Sequence, residues 1–293
     1  MSHKAGFVNI VGSPNVGKST LMNNLVGERL SIITSKHQTT RHRIMGIVNG
    51  EDFQIVYSDT PGVLEPKYSL HEKMMNFVTS SLKDADIILL VTDLFEDTMN
   101  HEATLEKIKK MDVPVFVLIN KIDLAKDMSQ VEQKVEIWGK HLPKADILPI
   151  SALTKVNIDF IINKIKDLLP ESPPYFDKND LTDKPMRFFI SEIIREKIFT
   201  TYKKEIPYSC EVLIEEFKAT DKITRIRAVI IVSRDSQKGI LIGHKGSKLK
   251  HVGTEARKAI EDFIQNKVFL ELFVKVDKDW KGNEKKLKKY GYV

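Results

Sequence analysis

Gly12-Ser13-Pro14-Asn15-Val16-Gly17-Lys18-Ser19 stands where one hydrophobic period gives way to another. Before it runs a short apolar stretch, Phe7 to Val11; after it, Leu21, Met22, Leu25 and Val26 fall at helical spacing. Strand, glycine-bearing loop and helix in that order are the context a phosphate-binding loop requires. Backbone N–H groups must wrap a phosphate, and side chains at Gly12 and Gly17 would obstruct that wrap. The helix start adds unpaired donors and partial positive charge. Lys18 is placed to reach the β- and γ-phosphates, and the Ser19 hydroxyl to hold a magnesium ion, with Thr20 beside it.

Working outward, strands and helices alternate. Ile44 to Val48 and Phe53 to Tyr57 read as a hairpin turned at Asn49-Gly50. Further strands are expected at Ile87 to Val91, Val115 to Ile119 and Ile147 to Ile150, with helices between them. This pattern predicts an α/β unit, a mainly parallel sheet covered on both faces. Ligands in such sheets sit beyond the carboxyl ends of the strands. Asp59-Thr60-Pro61-Gly62, Asn120-Lys121-Ile122-Asp123 and Ser151-Ala152-Leu153 each follow a predicted strand, so they converge with the loop on one rim. Asp59 suits a magnesium-binding carboxylate. Gly62, lacking a side chain, lets its N–H approach a γ-phosphate. Asp123 can accept the N1–H and N2–H₂ of guanine, a pair adenine does not offer. Asn120 supports the loop or the base edge, the stem of Lys121 lies along the base, and the Ala152 N–H can donate to guanine O6.

Length and charge frame the remainder. A chain of 293 residues with 42% hydrophobic content suits two domains. No apolar run reaches the roughly 18 residues of a membrane span, no apolar leader follows Met1, and one cysteine, Cys210, excludes an internal disulfide. A cytoplasmic protein is expected. The net charge of +6 is unevenly held: residues 1–177 carry 20 Lys and Arg against 23 Asp and Glu, residues 178–293 carry 26 against 17. A basic second half points to a polyanionic partner or to a merely solvated surface.

Pro170 through Pro174 ends the first unit. Beyond it the order reads α-β-β-α-α-β, with a Gly-x-x-Gly turn between two short helices. The strands are Tyr208 to Ile214, Ile226 to Val232 and Val268 to Val276. Gly243 and Gly246 let a backbone approach a nucleic-acid strand. Lys245 and Lys248 can meet phosphate, and Ile240, Ile242 and Leu249 can line an apolar groove. The tail from Asp279 is basic with interleaved aromatics; it contacts RNA or packs on the last strand.

These motifs together resemble the translation-factor class of Ras-like GTPases. Gln38-Thr39-Thr40-Arg41-His42-Arg43 is similar to switch I of the Era family, and Ile242-Gly243-His244-Lys245-Gly246 fits a type II KH domain. The resemblance implies a Ras-like P-loop GTPase domain over residues 1–170, with a mixed, mainly parallel six-stranded sheet. A linker at 171–186, an α+β type II KH domain at 187–276 and a basic tail at 277–293 follow. It implies GTP or GDP with Mg²⁺, hydrolysis involving Lys18, Thr40 and Gly62, and Mg²⁺ held by Ser19, Thr40 and Asp59. Thr39 is the rival to Thr40. Val63 stands where Ras-like proteins place a water-orienting glutamine, so intrinsic turnover is expected to be slow; Ras without an activator runs on the order of 10⁻⁴ s⁻¹. Asn15 is implied as a K⁺ ligand, against a loop-bracing amide. Implied too are 16S rRNA near its 3′ end and the 30S subunit as partners, peripheral inner-membrane association and a monomer. Two rivals stay open: a P-loop kinase-like enzyme, and an RNA-binding protein whose nucleotide is structural.

Overall fold

The computed structural model describes residues 3–34, 36, 38–96 and 102–292. They form two compact units, the first comprising residues up to Lys67 and His71–Asp183, the second Tyr68–Leu70 and residues from Lys184.

The first unit runs β1 (Lys4–Gly12), α1 (Lys18–Val26), β2 (Ile44–Asn49), β3 (Phe53–Asp59), α2 (Ser69–Lys83), β4 (Ile87–Asp93), α3 (Glu102–Lys109), β5 (Val115–Asn120), α4 (Met128–His141), β6 (Asp146–Pro149) and α5 (Ile158–Leu168). The sheet order is β2-β3-β1-β4-β5-β6. Only β2 and β3 pair antiparallel, through the Asn49-Gly50 turn; the other neighbours are parallel. Every residue of β4 is buried, as expected of a strand covered by helices on both faces. Trp138 of α4, 1% exposed, anchors the core on one face with Val117, Ile119 and Leu90. The carboxyl ends of β1, β3, β4 and β5 reach one rim, and the loops that follow them build the site.

The segment after α5 is bound along the open edge of β2. Gln54 accepts the N–H groups of Tyr175 and Phe176 at 2.7 and 3.0 Å and donates to the Phe176 carbonyl at 2.9 Å. The Ile47 N–H donates to the Leu181 carbonyl at 2.8 Å, and Thr182 donates to the Met45 carbonyl at 2.6 Å. The Met45 N–H donates to Asp183 at 2.9 Å. An edge strand exposes unpaired backbone groups, and residues 175–183, expected as plain linker, satisfy several of them.

The second unit contains α6 (Met186–Thr201), α7 (Ile206–Ser209), β7 (Cys210–Ala219), β8 (Thr224–Val232), α8 (Asp235–Ile242), α9 (Ser247–Ile264), β9 (Val268–Val276) and α10 (Glu284–Lys289). Its sheet is β7-β8-β9, antiparallel then parallel. Ile190, Ile194 and Ile198 of α6 and Val252, Ala256 and Ile260 of α9 pack with alternate residues of the three strands. Three details depart from the sequence reading. Tyr208 lies in the single turn α7, not in the strand, because Pro207 favours a helix start. Only one of the helices flanking the Gly-x-x-Gly turn is short, since α9 runs 18 residues. The aromatic tail packs: Trp280 and Tyr292 are fully buried, and the Tyr292 hydroxyl donates to Glu211 of β7 at 2.5 Å. Among the described residues no helix is long and apolar enough to cross a membrane.

Leu287 of α10 is fully buried with those aromatics. Leu287→Ala is therefore expected to destabilise the second unit by about 2–5 kcal/mol. Amide exchange in β7 and β8 is the measurement; unchanged protection contradicts the tail's structural role.

Candidate functional site

The loops at the strand ends enclose a cavity of about 560 Å³. Its lining includes Asn15, Gly17, Lys18, Ser19, Thr20 and Thr40 at one end. Asn120, Lys121, Asp123, Ala152 and Leu153 line the other, with Thr60 and Gly62 also on its wall. Gly12, Ser13, Val16, Asp59 and Ser151 do not line it but bond residues that do, and Pro61 is not among the lining residues.

At the first end, Lys18 is 6% exposed and donates to the carbonyls of Gly12 and Ser13 at 3.0 and 2.7 Å. Burial lowers its pKa to about 8, partly offset by the carboxylates of Asp59 and Glu96. Ser19 Oγ donates to Asp59 Oδ2 at 2.8 Å and lies 2.9 Å from Thr40 Oγ1, which is 3.3 Å from the same carboxylate oxygen. Asp59 is fully buried, and burial raises its pKa against the opposing influence of Lys18 and the hydroxyls of Ser19, Ser31 and Thr40. Its Oδ1 has no hydrogen-bond partner among the described residues. A buried carboxylate with an unpartnered oxygen beside two converging hydroxyls is a donor set for a small, hard divalent cation. The residues thus fit Mg²⁺. Thr39, by contrast, donates its hydroxyl to the Lys36 carbonyl at 2.9 Å.

Close approach governs the two glycines that matter here. A Cβ on Gly62 would lie 2.8 Å from Pro14 backbone, so the chain after Asp59 abuts the phosphate loop directly. Gly17 has φ +98°, and a Cβ there would fall 2.2 Å from Asn120 Nδ2. Asn15 is also left-handed, at φ +67°. Val63, 2% exposed, is turned into the core while its N–H donates to the Gly12 carbonyl at 3.0 Å. It brings no polar group to the cavity.

At the second end, Asn120 serves as a brace. Its Nδ2 donates to the Val16 carbonyl at 2.7 Å, and its Oδ1 accepts the Ala152 N–H at 2.9 Å. The Ala152 N–H expected to meet a base is thus engaged by Asn120. Asp123 faces the cavity and accepts the Ser151 hydroxyl at 2.5 Å. Lys121 is held by Asp93 at 2.6 Å.

Several contributors escaped the sequence reading. Asp93 closes β4 as Asp59 closes β3, and the same strand-end signal marks it. Glu96 accepts hydrogen bonds from Ser13 and Thr92, and burial raises its pKa. Arg43, at the end of switch I, donates to Ser58 at 2.6 Å and to Asp84 at 2.6 and 3.0 Å. It ties the chain entering β2 to β3 and to the end of α2. Ile32, Ile33 and Leu124 add an apolar lip to the cavity.

In the second unit, Gly243 and Gly246 have φ +71° and +77°, flanking Lys245 at +48°. Lys245, Lys248, Lys250 and His244 are exposed around the turn. Beside it lies a groove of about 390 Å³ walled by Leu249, Leu270 and Leu272, with Gly246, Lys250, Gly253, Thr254 and Arg257. Ile240 and Ile242 do not line this groove, a correction to the expected wall: both sit on α8, where Ile240 is 42% exposed. The alternation of β9 supplies Leu270 and Leu272 in their place.

The placement of the two switch threonines predicts unequal effects. Thr40→Ala is expected to lower Mg²⁺-dependent nucleotide hydrolysis by about 100-fold, the scale of a lost transition-state contact, and Thr39→Ala far less. Phosphate release at saturating nucleotide distinguishes them; equal losses contradict the assignment.

Comparison with known proteins agrees with this geometry. A family profile described as 50S ribosome-binding GTPase matches residues 7–121, and a KH domain profile matches residues 205–281. GTPase Era of Geotalea daltonii is 44% identical over 98% of this chain and 97% of its own. GTPase Era of Staphylococcus epidermidis is 42% identical over 99% and 98%. A crystal structure of Era in complex with MgGDPNP and nucleotides 1506–1542 of 16S ribosomal RNA superposes with TM-score 0.94 at 40% identity, covering 99% of both chains. A variant of Aquifex aeolicus Era bound to GDP·AlF4⁻ gives the same TM-score and identity. With relatives above 40% identity along almost its full length, and both units matched in order, this chain belongs to the GTPase Era family.

Proposed function

We propose that this chain binds GTP with Mg²⁺ in the strand-end cavity and hydrolyses it. We further propose that it holds unpaired RNA near the 3′ end of 16S rRNA in the groove between α9 and β9 during 30S subunit assembly. One observation carries the nucleotide reading. Ser19, Thr40 and Asp59 converge beside buried Lys18 at one end of a cavity whose other end holds Asp123. A triphosphate with its cation fits the first end and a guanine the second. The Era complex with MgGDPNP and 16S ribosomal RNA nucleotides supports both halves of the assignment.

In this reading Lys18 neutralises developing phosphate charge. Ser19, Thr40 and Asp59 hold Mg²⁺, and Gly62 presents its N–H to the γ-phosphate. The brace of Asn120 keeps the phosphate loop and the base loop in register. Asp123 excludes adenine, which offers it no pair of donors from the base and leaves part of the carboxylate unsatisfied, and so disfavours a kinase-like enzyme using ATP. Gly243 and Gly246 admit the RNA backbone, Lys245 and Lys248 meet phosphates, and Leu249, Leu270 and Leu272 receive bases. Peripheral membrane association rests on the family resemblance alone.

The water-positioning group is the remaining part. Val63 brings no polar group to the cavity, so Asn15, left-handed and on the cavity wall, is assigned to a K⁺ ion near the β–γ bridge. Turnover in potassium buffer is expected to exceed that in sodium buffer at least several-fold; equal turnover leaves Asn15 a loop residue.

Gly243→Asp sets a like charge, and a side chain at φ +71°, against the RNA backbone. It is expected to abolish RNA binding while basal GTP hydrolysis continues at the wild-type rate. Wild-type RNA affinity in that variant contradicts the groove assignment.

A further inference from the structure

Strand β9 is an edge of the second sheet, and its residues alternate between two surfaces. Leu270 and Leu272 face the groove against α9. Phe269 and Phe273 face the opposite side and are 46% and 49% exposed. On neighbouring β8, Ile226 and Ala228 enter the core, while Arg225 and Arg227 point outward with the phenylalanines. Register sets Arg225 opposite Phe269 and Arg227 opposite Glu271. The Arg225 guanidinium lies 5.5 Å from the Phe269 ring centre, and that of Arg227 lies 6.0 Å from Phe273. Lys218 of β7 is opposite Arg225. The acidic groups here, Glu216 and Glu271, pair with Lys218 at 3.1 Å and with Arg227 at 3.5 Å.

Two half-exposed phenylalanines are costly to leave in water, and alternation of aromatic rings with guanidinium groups on a sheet is what a base-stacking platform needs. Rings take the faces of unpaired bases, and the cations take phosphates. The platform is continuous with the groove, because the two surfaces share one edge strand and consecutive residues serve each. A polynucleotide leaving the groove across β9 meets Phe269 and Phe273 next.

We propose that the outer face of β8 and β9, formed by Phe269, Phe273, Arg225 and Arg227, is a second RNA-contact surface. It stacks unpaired bases of the same strand beyond those held in the groove. This rests on the reading of the groove as an RNA site. The groove holds about four nucleotides, so the outer face acts only on longer RNA.

The test uses the full chain and two unpaired RNAs drawn from the 3′ end of 16S rRNA, one of about five nucleotides and one of about 20, sized to fill the groove alone or to run past it. The doubly substituted Phe269→Ala, Phe273→Ala protein is expected to bind the longer RNA about tenfold more weakly or worse, on the scale of one or two lost base stacks. It should bind the shorter RNA as the wild type does. Both side chains are half exposed, so its melting temperature should match the wild type. Arg225→Gln with Arg227→Gln should also lower the slope of log Kd against log salt on the longer RNA by about 1.4, for two lost phosphate contacts. Gly243→Asp should lose both RNAs. Wild-type affinity of the Phe269→Ala, Phe273→Ala protein for the longer RNA overturns the proposal, whether or not its binding to anionic lipid vesicles falls. If Gly243→Asp still binds RNA while the phenylalanine variant does not, the groove reading fails and the outer face stands as the RNA site.

Discussion

Two opposite charges, Lys18 and Asp59, are buried at the carboxyl ends of β1 and β3, and the first unit is organised around keeping them there. Burying an ion costs several kcal/mol unless it is paired and hydrogen-bonded. The chain meets that cost only in part. Lys18 is held by two loop carbonyls, and Asp59 by two hydroxyls at one of its oxygens. Burial shifts both pKa values toward the neutral forms, Lys18 down and Asp59 up. A bound anion for the lysine and a cation for the carboxylate relieve both shifts together, which is why a metal–phosphate complex suits this end of the cavity.

The rest of the site transmits that constraint. Asn120 connects the loop that carries Lys18 to the loop that follows β6, so one side chain bonds both the phosphate end and the base end. Gly62 abuts Pro14, so the start of the chain toward α2 is in contact with the phosphate loop. Arg43 ties the end of the Thr40 segment to β3 and α2 through Ser58 and Asp84. Residues 175–183 lie on β2, the strand that begins just after that segment. The segment that carries Thr40 is thus joined, through β2, to the chain bonded along it.

The sequence disclosed the parts of this arrangement whose chemistry is local. Glycines and a lysine at fixed spacing between an apolar run and a helical run place the phosphate loop, and strand-end Asp59, Asn120 and Asp123 follow from alternation of strands and helices. Contacts between distant side chains were not legible. Nothing in the stretch Asn120-Lys121-Ile122-Asp123 says that the amide binds Val16, or that Asp93 holds Lys121. The choice between Thr39 and Thr40 likewise depends on how an irregular loop folds back, which no periodicity encodes. In the second unit, Tyr208 fell in a helical turn because Pro207 outweighed the alternation around it. The groove wall came from β9 because Ile240 turned outward on α8. The tail's aromatics looked equally fit for RNA or for packing, and only the depth at which Trp280 and Tyr292 are buried decides between them.

The most direct test is calorimetric titration of the magnesium-loaded, folded chain with GDP, GTP, ATP and XTP, repeated with Asp123→Asn. The account predicts tight binding of GDP and GTP and none of ATP. In the variant it predicts a loss of GTP affinity and a gain for XTP, whose base presents a carbonyl where guanine presents an amine. Heat from ATP equal to that from GTP, or none from either guanine nucleotide, contradicts it.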